Sequence, residues 1–293
     1  MRSPFAARRS LAGLILAALA LAGIGAGAAA AVGPASGAGS RRHPAPCLVP
    51  GRRAPLDRLW RPNVLSAIGY ARLRQGDIAF GVRTAHAFYA YRPDHQEWSA
   101  SVLKAMLLVA YLSRPSVARR ALSAGERALL GPMITESDND AANTIDEIVG
   151  DTALDALATR VGMRSFVARQ PIWGESLITV RDQTRFFLSI DSFIPRRHRL
   201  YAMRVLASIV PAQRWGIGEV APRGWKLYFK GGWGSGTGLI DNQVALLTRG
   251  CARVSIAVLT MDDGSHAYGK QTLEVIFRKL LAGLPIGARR RYR

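Results

Sequence analysis

Apolar positions first become periodic at residue 61. In "RPNVLSAIGYARLRQ", Val64, Leu65, Ile68 and Leu73 fall at helical spacing and predict an amphipathic helix. Two short alternating segments, "DIAFGVRT" (77–84) and "HAFYAYRP" (86–93), are separated by a tight turn and predict a β-hairpin. A helix begins near Ser99 and runs through "KAMLLVAYL". From 117 to 212 the pattern is helical throughout, in "SAGERALLGPMI", "NDAANTIDEIV", "DTALDALATRV", "TVRDQTRFFLSI" and "RHRLYAMRVLASIV". Ser123, Asp140 and Thr179 stand where N-caps would begin three of these. Beyond Pro211 the chain turns back to strand pattern in "WKLYFKGGW", "LIDNQVALLT" and "ARVSIAVLTM". A last helix, "GKQTLEVIFRKLLAGL", closes the domain.

Helix, hairpin, helical insert, three strands and helix, in that order, define an α+β class. The expected architecture is an antiparallel sheet built from both chain ends and flanked by helices, with an inserted all-helical subdomain. The domain is placed at 61–287, its α/β part at 61–104 and 213–287 and its helical part at 105–212. A cleft is expected where the two parts meet.

Residues 1–39 carry Arg2, Arg8 and Arg9, no acid, and an Ala/Gly/Leu-rich apolar run. They read as an export signal, with an uncleaved membrane anchor as the other reading. Arg8-Arg9-Ser10-Leu11 is compatible with the twin-arginine route. Residues 40–60, rich in Pro, Arg and Gly, read as an N-terminal arm, and 288–293 as a basic tail. The expected location is secreted or associated with the cell envelope.

The formal charge is +20, and removal of residues 1–39 lowers it to +17. Such a surface favours anionic partners, among them a cell-wall polymer. Nucleic acid is excluded as a partner, because no aromatic–basic module is present and export would separate the two. Cys47 and Cys251 are the two cysteines; a disulfide and two unpaired thiols both stay open. The five histidines show no ligand spacing, so neither a metal nor a cofactor is expected.

Three short motifs carry chemistry. Ser101-Val102-Leu103-Lys104 puts a hydroxyl and an amine one helical turn apart, at a helix start among apolar residues. A desolvated amine loses basicity and can then accept the serine's proton. Taken alone, this pair is equally well a helix start with a snorkelling lysine. Ser137-Asp138-Asn139 falls in a turn between helices, and Lys230-Gly231-Gly232 on a strand ending in glycines. The set S-x-x-K, S-D-N and K-[ST]-G, in that order, marks class A β-lactamases and penicillin-binding proteins. The chain resembles the class A β-lactamase-related serine hydrolases over roughly 60–285.

The resemblance implies a small-molecule or peptide substrate, a β-lactam or a cell-wall peptide. It implies that Ser101 attacks an acyl carbonyl with Lys104 as base. Ser137 would relay a proton to the leaving nitrogen beside Lys230, and Asn139 would bind the substrate's amide. Backbone N–H groups of Ser101 and Trp233 would form the oxyanion hole. Asp138 is expected to cap and orient its turn.

Three departures modify this. Gly231 stands where the family has a hydroxyl residue, leaving Ser235 or Thr237 to supply one next to Gly232 and Trp233. Only 35 residues separate Ser101 from Ser137, so the cleft edge should be more open. Ahead of "ITVRD" the chain reads "RQPIWGESL", without the family's E-x-x-L-N loop whose glutamate activates the deacylating water. Glu175 lies too close to the next helix for that task, and Glu136, beside Ser137, is a weaker substitute. The expected function is an exported serine hydrolase forming an acyl-enzyme on an amide or β-lactam-like substrate, with weak deacylation. A non-catalytic envelope-binding protein on the same fold is the competing reading. Oligomeric state is left open.

Overall fold

Five antiparallel strands form the main sheet: β1 (Asp77–Arg83), β2 (Phe88–Tyr91), β5 (Lys226–Gly234), β6 (Ile240–Arg249) and β7 (Ala252–Met261). Their order is β2-β1-β7-β6-β5, so the expected hairpin is joined directly to the last strand of the chain. The computed structural model describes residues 55–234 and 239–285. The export signal, most of the arm, the basic tail, Cys47, Ser235 and Thr237 lie outside the described residues.

Burial along β6 and β7 is nearly continuous, which means that both sheet faces are covered. Helix α1 (Val64–Ala71) with α7 (His266–Leu281), and α5 (Val180–Leu188), supply that cover. The inserted helical layer consists of α2 (Lys104–Ser113), α3 (Ala124–Thr135), α4 (Asn139–Val161) and α6 (Arg196–Ala207). At its centre α2 is buried on every side from Lys104 to Leu112. The packed domain also reaches back to Leu56 and Trp60, both buried, and Trp60 Nε1 donates to the carbonyl of Ala282 at 2.9 Å.

Local chemistry explains most boundaries. Ser123 and Glu126 form a reciprocal capping box at the start of α3, and Thr179 caps α5. The third expected cap is displaced. Asp138, not Asp140, caps α4, its Oδ1 accepting from the N–H of Ala141 at 2.8 Å. Gly150, at φ 67° and ψ 164°, interrupts the helical backbone of α4, so the two expected patterns form two helical segments, 139–149 and 151–161. In α1 the buried residues are Ala67 and Ala71, whereas Leu65 and Leu73 are 82% and 84% exposed. Leu73 falls after the helix end, so of the four expected apolar positions only Val64 and Ile68 pack against the core, partly buried beside the two alanines.

A second sheet, of two strands only, was not legible in the sequence: β3 (Glu97–Trp98) pairs with β4 (Leu177–Ile178). It binds the segment before Ser101 to the segment before α5. Among the described residues no helix is long and apolar enough to cross a membrane.

Candidate active site

Ser101 sits in a 3₁₀ turn, Ala100–Leu103, that leads directly into α2. Ala100, just before it, holds φ 42°, a left-handed conformation that costs a non-glycine residue free energy and persists where surrounding contacts enforce it. Those contacts come from two sides. The N–H of Ser99 donates to the Ser176 carbonyl at 2.8 Å, and Ser99 Oγ to the Gly174 carbonyl at 3.3 Å. Opposite, β5 passes so close that a Cβ on Gly232 would stand 2.7 Å from Ser101 N and 2.8 Å from Val102 N. Only glycine allows this approach.

Lys104 and Lys230 are both fully buried. Lys104 Nζ donates to the Ser137 carbonyl at 2.6 Å, to Asn139 Oδ1 at 2.7 Å and to Ser137 Oγ at 3.2 Å. Lys230 Nζ reaches the same hydroxyl at 3.0 Å and the carbonyl of Gly231 at 2.7 Å. One serine hydroxyl thus bridges two buried amines. To aim it there, Ser137 adopts φ 60°, a strained turn fixed by the Asp138 cap that follows. Burial pushes the Lys104 amine down to about 7, against a smaller opposing pull from Asp138. Lys230 is pushed well below its ordinary value by burial, then by its neighbour Lys104. Two ammonium groups this close and this dry cannot both hold their protons easily, which favours a mixed pair that can pass a proton through Ser137.

Ser101, Asn139 and Trp233 line one open pocket of about 310 Å³, together with Asn143 and Trp173. The S-x-x-K, S-D-N and K-G-G segments therefore meet at the junction of the sheet and the helical layer. Trp173 is the residue sequence reasoning missed. Its ring centroid lies 4.9 Å from Lys104 Nζ, and its Nε1 donates to Asn143 Oδ1 at 2.8 Å. An aromatic face over the amine stabilises its charged form but cannot take a proton from water. The nearby Gln170 turns away and donates to Asp146 at 2.6 Å. Glu136 is exposed, and the Glu175 carboxylate makes no described contact with Lys104.

At Gly231 a Cβ would have ordinary contact with Trp215 and Gln243, at 3.6 Å each. Trp215 meets Trp233 edge to face at 5.8 Å, and His266 stacks on Trp233 at 6.0 Å. Beneath them His266 Nδ1 is 2.6 Å from Oδ1 of the buried Asp241. Burial raises Asp241 to about 8 and its neighbour Asp263 to about 6. Cys251 is disulfide-bonded.

The description "Beta-lactamase enzyme family" matches residues 121–282. The same fold recurs in solved structures. One is the β-lactamase of Sphaerobacter thermophilus, 20% identical over 75% of this chain and 95% of that one, with a TM-score of 0.66. An ancestral class A β-lactamase is 18% identical over 75% and 98%, with a TM-score of 0.63. Comparison with curated proteins returns no match. The fold is that of class A β-lactamases, as the motif order implied. This chain belongs to the beta-lactamase enzyme family, and so to a serine-hydrolase type of enzyme in general.

Proposed function

We propose that the protein is an exported serine acyl-transfer enzyme that acylates readily on amides or β-lactams and deacylates slowly. The observation that carries the reading is the Ser137 hydroxyl, bridged between the buried amines of Lys104 and Lys230 beside Ser101. In this mechanism neutral Lys104 accepts the Ser101 proton as Oγ forms its bond to the acyl carbon. The oxyanion that results is met by the N–H groups of Ser101 and Trp233, and each such donor is typically worth roughly 3–4 kcal/mol. As the carbon–nitrogen bond breaks, the Ser137 hydroxyl protonates the leaving nitrogen and is resupplied from Lys104. Hydrolysis of the ester then needs a base for water, and the side chain packed over Lys104 from that side is the Trp173 ring. Export rests on the N-terminal sequence alone, and an envelope peptide is the substrate class that fits it.

Intact-mass analysis after incubation with a fluorescent penicillin tests both halves. A stable adduct on the wild type, absent from Ser101→Ala, supports the reading. Rapid nitrocefin turnover at catalytic protein levels refutes slow deacylation. Failure of every β-lactam and activated ester to label the protein refutes acylation and leaves the envelope-binding role.

A further inference from the structure

Glu97 lies on β3 and takes no part in the chemistry above. Its side chain is 0% exposed; Oε2 has no hydrogen-bond partner, and Oε1 faces a ring nitrogen of His95. A buried carboxylate so sparsely supplied with donors calls for a compensating cation or a proton. Its Oε1 lies 2.9 Å from His95 Nε2, and that same nitrogen lies 3.8 Å from Asp77 Oδ2. We propose that Asp77, His95 and Glu97 form a binding site for one divalent cation of the zinc class.

The donor set is one imidazole nitrogen and two carboxylate oxygens, which suits zinc, cobalt or manganese. The three ligand atoms all lie within 4.8 Å of one another. A metal about 2.0–2.2 Å from each ligand holds them no more than roughly 4.2 Å apart, so a small rotation closes the set. Asp77, 50% exposed, has the freedom to make that rotation. It also opens the site to solvent, while Glu97 forms its floor.

Arg92 stands at the outer side, 2.6 Å from Asp77 Oδ1 and 2.9 Å from His95 Nε2. Its guanidinium pairs with Asp77 and lies against the His95 ring at the mouth of the site. One-third exposed, it can swing into solvent when a metal arrives. Asp262 and Asp263 add negative potential around Glu97. The site does not depend on the acyl-transfer reading. It would tie β1 to β3, four residues ahead of Ser101. Spacing alone does not reveal it, because His95 and Glu97 are a lone pair two residues apart and Asp77 comes from a different strand.

Isothermal titration of the EDTA-dialysed full chain with zinc chloride tests the proposal, with the visible absorption of added cobalt as a second readout. One equivalent should bind the wild type. Glu97→Gln, which keeps volume, and His95→Ala, at a partly exposed position, should each weaken binding at least tenfold. Arg92→Ala should bind as tightly or more tightly, since a competing cation is gone. Absence of saturable binding overturns the proposal and identifies Glu97 as a neutral acid bonded to His95. Binding that persists unchanged in both ligand variants also overturns it, by placing the metal elsewhere.

Discussion

In the proposed mechanism Lys104 acts as a base at neutral pH because it is buried, and this can be measured. Its amine is pushed from an ordinary 10.5 to about 7. The difference corresponds to about 5 kcal/mol of lost preference for the charged form. At pH 7 about half of the molecules then hold a neutral amine, against about one in 3,000 for a lysine in water. If acylation needs that neutral form, single-turnover labelling by a fluorescent penicillin should rise about tenfold per pH unit below the midpoint. It should level off above pH 7. Lys104→Arg keeps the charge but cannot release its proton, and labelling should fall about 10³-fold. Asp138→Asn keeps a good N-cap while removing the charge that opposes the shift, so the midpoint should move to lower pH. A flat profile from pH 5 to 9, or a midpoint near 10, would refute the assignment of Lys104 as base.

Further outcomes follow from the same geometry. Gly232→Ala sets a methyl 2.7 Å from Ser101 N, so β5 and the nucleophile turn must separate; labelling should drop at least 100-fold and melting temperature should fall, by mass analysis and calorimetry. Trp173→Glu replaces the ring over Lys104 with a carboxylate; the labelling midpoint should move to higher pH, and the adduct half-life should shorten at least tenfold. Glu126 is held well below the ordinary carboxylate range, chiefly by Arg120. Its stabilising effect is therefore present at pH 7 and lost on acidification, so Glu126→Gln should melt a few degrees lower at pH 7, with the gap beginning to narrow only below about pH 4.5 and closing gradually in stronger acid.

The fold was readable where the signal is local. Period-two alternation marked the hairpin, Ser123 marked α3, and Thr179 marked α5. The three motifs were visible because each is a short string of particular residue types at fixed offsets, and the structure brings the three segments together. What escaped depends on contacts distant in sequence. Asp138 takes the cap in place of Asp140, its Oδ1 accepting from the N–H of Ala141, so the helix begins at Asn139, two residues earlier than expected. Leu65 and Leu73 look like core because periodicity cannot say which face meets the sheet; α7 packs against the alanine side. The β3–β4 pair is two residues long, below any pattern threshold. Trp173 lies in "PIWGES", where only its size hinted at a role, since a large aromatic beside Pro and Gly in a loop usually has a surface to cover.

The buried ionisable groups make folding a proton-exchange reaction of an unusual kind. Asp241 and Asp263 have raised values, so between about pH 4 and 8 the native chain holds protons that the unfolded chain has released, and alkali weakens it. His266, lowered, opposes this in part. From about pH 7 to 10.5 the sense reverses. Lys104 and Lys230 shed protons on folding that unfolded lysines keep, and alkali strengthens the native state. Stability plotted against pH should thus show a valley near neutrality in place of the customary dome. The protein is least secure at the very acidity where its amine is half neutral and ready to react.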